Sequence, residues 1–156
     1  MRKKIKTICL MSIIFYAGCE DSESSGGLNE AYVGKWTLSF SATYEGESCS
    51  GNPMGGGDGT VSNSTTSITL NADGSYLNSD AMICVEPGNA SDENCKGTWE
   101  SSENKIKLTL SAIPISMEYN VSESEGISTM SLENLGEQTS NGVTIGICQK
   151  TSYTKE

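Results

Sequence analysis

Cysteine is the residue type in this sequence with the widest chemical range, and it occurs at positions 9, 19, 49, 84, 95 and 148. The chain contains no histidine, and no two cysteines have the Cys-x-x-Cys spacing typical of a zinc site. Without an imidazole there is no Ser-His-Asp or Cys-His arrangement for nucleophilic catalysis. We therefore expect the thiols to form disulfides or to carry a covalent attachment, and we predict no enzyme activity, no metal site and no cofactor.

The first 18 residues have the pattern of a secretory signal. A basic start, "MRKKIK", precedes the apolar run "ICLMSIIFYAG", which is too short to predict a membrane-spanning helix. The small residues Ala17 and Gly18 stand directly before Cys19. An ordinary signal peptide with an incidental cysteine is one reading of this junction.

The Ala-Gly-Cys junction also resembles the lipobox of bacterial lipoproteins, with Tyr16 at the position that is usually leucine. The resemblance implies cleavage before Cys19 and acylation (palmitate-type chains) of that residue, because several acyl chains make anchoring stable. Residues 19–30 are acidic and rich in serine and glycine, so we predict a disordered tether. The implied location is the bacterial cell envelope, in the outer membrane, facing the periplasm or displayed at the cell surface.

Four cysteines remain for the body of the protein, which we place at residues 31–156. An even number in an exported domain predicts two disulfides, and three pairings are possible. One of them joins Cys84 to Cys95 across a loop and Cys49 to Cys148, which would tie a long early loop to the last strand.

The body shows an apolar period of two from residue 32 onward, which predicts β-strands. In "WTLSFSATY" this alternation assigns Trp36, Leu38, Phe40, Ala42 and Tyr44 to the inner face of the first strand. Turn sequences such as "NADG", "SSEN" and "TSNG" separate the strands. Eight short strands predict an all-β, up-and-down antiparallel barrel, with a two-sheet β-sandwich as the alternative.

A succession of motifs carries a second resemblance. "YVGKWTL", "ITLNADGSY", "GTWESSENKIKLTL" and "MEYNV" follow one another as in the small lipocalin-like domain of many bacterial lipoproteins. The body departs from the lipocalin pattern because it has no arginine to pack over Trp36 and no helix after the last strand. The resemblance implies an eight-stranded barrel that binds a small ligand.

Charge restricts the partners. From Cys19 onward the chain has six lysines, no arginine and twenty acidic residues, a net charge of −14. Such a body repels nucleic acid and anionic lipid surfaces, so we predict no nucleic-acid partner.

Two functions remain open. In the first, the barrel holds a small apolar ligand, and the candidate lining residues are Trp36, Leu38, Phe40, Trp99, Met117 and Tyr119. These residues could equally pack as an ordinary core without a cavity. In the second, a fully packed barrel is a protein-interaction or inhibitor module that contacts a cationic protein through the loops at 45–59 and 86–94.

Overall fold

The computed structural model describes residues 27–80, 84 and 86–156, and eight β-strands account for most of them. The strands are β1 (Gly34–Glu45), β2 (Ser67–Leu70), β3 (Ser75–Asn78), β4 (Lys96–Ser102), β5 (Lys105–Leu110), β6 (Ser116–Ser124), β7 (Ile127–Ser140) and β8 (Val143–Lys155). Within these ranges no helix has the length and apolar character needed to cross a bilayer. The predicted signal at 1–18 and the first part of the tether, 19–26, lie outside the described residues.

The strands form one closed antiparallel barrel. Each strand pairs with its neighbours in chain order, and β8 returns to pair with β1. The up-and-down barrel predicted from the alternation is therefore confirmed, and the sandwich alternative is excluded because the sheet closes on itself. Closure also pairs the backbone hydrogen-bonding groups of the first and last strands with each other, which would otherwise be free sheet edges.

The lower half of the barrel is filled by a packed apolar core. Its members are the buried residues Trp36, Ile68, Leu70, Tyr76, Trp99, Ile106, Leu108, Tyr119, Met130 and Tyr153. Trp36, Ile106 and Met130 have no exposed surface at all. Burial of this set drives folding, since each large apolar side chain contributes about 1.5–3 kcal/mol when it is removed from water.

The end of the barrel at which the chain enters is closed. A 3-10 turn at Glu30–Tyr32 brings the Tyr32 ring edge-on to Trp36, with ring centroids 6.5 Å apart. The indole Nε1 of Trp36 donates to the Tyr32 carbonyl at 2.9 Å, and the Tyr32 hydroxyl donates to the carbonyl of Glu103. We call this the closed end. Tyr32 packs on Trp36 at the place where lipocalins commonly have an arginine.

The described chain contacts the barrel earlier than the predicted body boundary at residue 31. Gly27 pairs with Ser101 through two backbone hydrogen bonds of 3.2 and 2.8 Å, and the Ser101 hydroxyl also donates to the Gly27 carbonyl. Residues 27–30, the last part of the predicted tether, are thus attached to the closed end.

A β-bulge in β1 reverses the orientation of its second half. Leu38 pairs with Tyr153 but Phe40 pairs with Ser152, so Ser39 is an extra residue in the ladder. Paired residues share a face of the sheet, so beyond the bulge Ser41 and Thr43 face inward. The predicted inward orientation of Phe40, Ala42 and Tyr44 is therefore wrong, because strict alternation ends at the bulge.

The long connection between β1 and β2, residues 46–66, covers the outer face that the bulge creates. It bonds to β1 through Ser41 N to Gly59 O and Met54 N to Thr43 O. Gly59 lies so close to the Phe40 ring that an added Cβ would stand 2.6 Å from a ring carbon.

One disulfide fixes this connection to the barrel. Cys49 is bonded to Cys148 on β8, with Cα atoms 5.1 Å apart, and this confirms the Cys49–Cys148 link of the pairing considered above. The closed loop spans 99 residues, so the bond strongly restricts the unfolded chain.

Candidate functional site

The open end of the barrel holds a cavity of about 480 Å³ above the packed core. Its lining comes from β1, β8 and the segments that flank β2 and β3: Leu38, Ser41, Thr43, Thr66, Asp80, Gln149, Thr151 and Tyr153, with Ala42 also at its border although the Ala42 side chain faces Gly59 in the outer loop. The ladder explains this grouping, because the pairs Leu38–Tyr153, Ser41–Thr151 and Thr43–Gln149 all face inward. Leu38 and Tyr153 form the floor, where the cavity meets the core.

The wall of the cavity combines apolar and polar surface in similar amounts, and several of its residues carry hydrogen-bonding side chains. Within the described part of the chain, the side chains of Ser41, Thr43, Thr66, Gln149 and Thr151 form no hydrogen bond with protein groups. Four hydroxyls and one carboxamide are thus free to bond to water or to a ligand. A site of this volume falls in the range of small-molecule pockets, about 300–1,000 Å³.

Asp80 gives the cavity its charge. Its backbone N–H donates to the Asn78 side-chain oxygen at 2.8 Å. Burial raises the pKa of Tyr153 to about 12, and the negative charge of Asp80 adds to this shift. Since no lysine or arginine is among the described residues that line the cavity, its electrostatic potential disfavours anions.

The ligand-lining residues predicted from the sequence are divided between the core and the surface. Trp36, Trp99 and Tyr119 are buried in the packed core, and Met117 packs against it. Phe40 lies outside the barrel under Gly59, because the bulge at Ser39 turns its side chain to the outer face. Its assignment to the lining is therefore wrong. Only Leu38 of the predicted set lines the cavity.

Sequence reasoning missed the polar lining. Gln149 and Thr151 could have been found, because they are in phase with Tyr153 on the last strand. Ser41 and Thr43 could not have been found from the sequence, since the bulge moves them from the predicted outer face to the inner one.

The second predicted disulfide is not formed in the structure, where Cys84 and Cys95 are buried free thiols. Each donates to nearby oxygens: Cys84 Sγ to the Asn78 carbonyl at 3.3 Å, and Cys95 Sγ to the Glu86 carbonyl at 3.2 Å. Burial raises the pKa of Cys84 to about 12, and a hydrogen bond with Cys95 adds to the shift. The Cys84 thiol therefore stays protonated at neutral pH and is a poor nucleophile.

A cluster with metal-ligand atoms has another explanation. Cys49, Cys148 and Glu133 lie within 4.8 Å of one another, but both sulfurs belong to the disulfide. Glu133 forms an ion pair with Lys150 at 2.8 Å.

Comparisons with protein-family models, curated proteins and solved structures find no match to this chain. The site must therefore be interpreted from its own geometry.

Proposed function

We propose that this chain is a membrane-anchored, lipocalin-like binding lipoprotein whose open end holds one small hydroxylated ligand that carries no negative charge. The observation that supports this proposal best is the cavity of about 480 Å³, where five polar side chains have no hydrogen-bond partner among the described residues. These side chains are exposed or half-buried, so a hydroxylated compound that enters the cavity can form hydrogen bonds with them.

The packed core argues against the apolar ligand considered first. Trp36, Trp99 and Tyr119, the largest of the candidate lining residues, bury their surface against other side chains. A fatty acid would also bring its carboxylate to a cavity whose described lining includes Asp80 and no cationic residue. Both the shape of the core and the charge of the cavity thus favour a neutral polar ligand.

The anchor is proposed on the amino-terminal sequence alone. The lipobox-like junction at Cys19 implies lipidation, and the acidic body suits an exposed position in the bacterial outer membrane, on its periplasmic face or at the cell surface. Labelled palmitate should be incorporated into the full chain in bacterial cells and not into the Cys19→Ser variant. Equal labelling of both proteins, or of neither, would reject the anchor.

The ligand class is tested by isothermal titration calorimetry on the purified full chain. The probes are a panel of neutral mono- and disaccharides, a matched sugar acid, lauric acid and retinol. We expect at least one neutral sugar to bind and the sugar acid to bind more weakly, because Asp80 repels it. Failure of every neutral sugar at about 1 mM, or saturable binding of lauric acid or retinol alone, would overturn the proposal.

A single hydroxyl provides a matched pair of variants. Thr151→Val removes a hydroxyl that faces the cavity, and should weaken sugar binding about three- to tenfold through the loss of one hydrogen bond. Thr129→Val makes the same change on the outer face of β7, beside the inward Met130, and should leave the affinity unchanged. Equal effects of the two substitutions would place the ligand elsewhere.

A further inference from the structure

Strand β7 has a long free edge. Its ladder with β6 runs from the pair Ser124–Ile127 to the pair Asn120–Ser131 and stops there, although β7 continues to Ser140. On its other side β7 is paired with β8 along this whole length. Among the described residues, no other backbone group bonds to residues 132–140, so their edge toward β6 is open.

Nothing in the described chain protects this edge. On β1, the strand β2 pairs only with residues 34–37. The edge beyond them is instead hydrogen-bonded by the loop at residues 46–66. No loop among the described residues bonds to the β7 edge, which contains no proline and is about 30 Å long at the usual rise per residue. Natural proteins normally shield such edges, so a long open one is a site for the addition of another strand.

The side chains along the edge define what could pair with it. Alternation places Glu133, Leu135 and Glu137 in one row on the outer face, and Leu135 is 67% exposed. The opposite row, Asn134 and Gln138 with Gly136 between them, is uncharged. Glu133 is paired with Lys150, whereas Glu137 has no ion-pair partner within the described residues.

We propose that the β7 edge binds an extended segment of a partner protein in which two basic residues flank an apolar one at alternate positions. Backbone hydrogen bonds along residues 132–140 provide the attachment, and the row of Glu133, Leu135 and Glu137 selects the partner's side chains. Cross-strand neighbours of opposite charge are favourable, and like charges are not. A second copy of this chain is disfavoured, because pairing two β7 edges brings together two acidic rows and two chains that each carry a net charge of −14 from Cys19 onward. This surface is separate from the cavity, so it stands independently of the proposed ligand.

The test uses the purified full chain and the fluorescein-labelled peptide Ser-Lys-Thr-Val-Thr-Lys-Thr-Ser, followed by fluorescence anisotropy. We expect saturable binding that weakens as salt is raised. The same peptide with glutamate in place of both lysines should not bind. Hydrogen exchange should slow at the amides of residues 132–140 when the lysine peptide is present.

Two matched variants locate the contact. Glu137→Gln removes the charge beside the expected lysine and should weaken peptide binding about two- to fivefold. Glu125→Gln makes the same change in the β6–β7 turn, at the far end of the strand, and should have no effect. No anisotropy change up to about 1 mM lysine peptide, equal binding of the glutamate peptide, or protection outside residues 132–140 would overturn the proposal. A dimer that protects the edge in the absence of peptide would overturn it as well.

Discussion

Gly97 allows β4 and β5 to approach each other closely, and replacing it gives a sharp test of the packing. A Cβ built at this position would stand 1.9 Å from the carbonyl oxygen of Thr109 on β5 and 2.6 Å from the Tyr76 ring. Cβ atoms essentially never come within 3.0 Å of such neighbours. The β4 and β5 backbones must therefore separate by more than about 1 Å in Gly97→Ala, and neither neighbour is a flexible side-chain end.

The cost combines two effects. Separation of the strands weakens one or two ladder hydrogen bonds, each worth about 0.5–1.5 kcal/mol, and displacement of a core ring costs about 1–3 kcal/mol. We expect the free energy of unfolding to fall by about 3 kcal/mol. With a urea slope of about 2 kcal/mol/M, the midpoint should move down by about 1.5 M, measured by tryptophan fluorescence.

Gly146→Ala is the matched control, since this glycine is also in a strand and an added Cβ there meets nothing within 4 Å. Its free energy of unfolding should change by no more than about 0.5 kcal/mol. If Gly97→Ala unfolds at the same urea concentration as the control, the close approach of β4 and β5 described here is incorrect.

Two further predictions concern the disulfide and the buried tyrosines. Cys49→Ser should lower the free energy of unfolding by about 2–4 kcal/mol, because the 99-residue loop is then unrestricted in the unfolded chain; an unchanged urea midpoint would contradict this. Burial raises the pKa of Tyr153 to about 12, above the unfolded value near 10, so the folded state holds this proton more tightly. The contribution of this pKa difference to the free energy of unfolding should be fully present below pH 10 and lost between pH 10 and 12. Urea midpoints measured across this pH range test it. Tyr153→Phe should flatten this pH dependence, and an identical profile in the variant would show that other groups cause it.

The strands and their closure could be predicted because the sequence repeats its apolar period in separate segments. In β5, Ile106 and Leu108 are buried and the lysines that flank Ile106 are exposed, as alternation requires. Turn residues also acted locally: the Asp73 carboxylate accepts from the backbone and hydroxyl of Ser75, which fixes the turn before β3. Such signals depend on neighbours in the sequence, so they can be recognised without the fold.

The β1 wall of the site beyond Leu38 could not be predicted, because its orientation depends on one inserted residue and one distant loop. Apolar residues occupy alternate positions of β1 both before and after Ser39, so nothing in the pattern reveals the bulge. Phe40 and Tyr44 can be apolar on the outer face only because residues 46–66 fold back over them. Alternation indicates that one face of a strand is shielded from water. That face can be the inner or the outer one, because a covering loop can also bury the outer face.

The attachment of Gly27 to Ser101 has a consequence for orientation. The chain reaches the barrel at its base, opposite the rim where Ser41 and Gln149 border the cavity. If the protein is anchored through the residues that precede Gly27, the anchor is attached at the closed end of the barrel. The open end of the cavity then faces away from the anchor, and solutes can reach it directly.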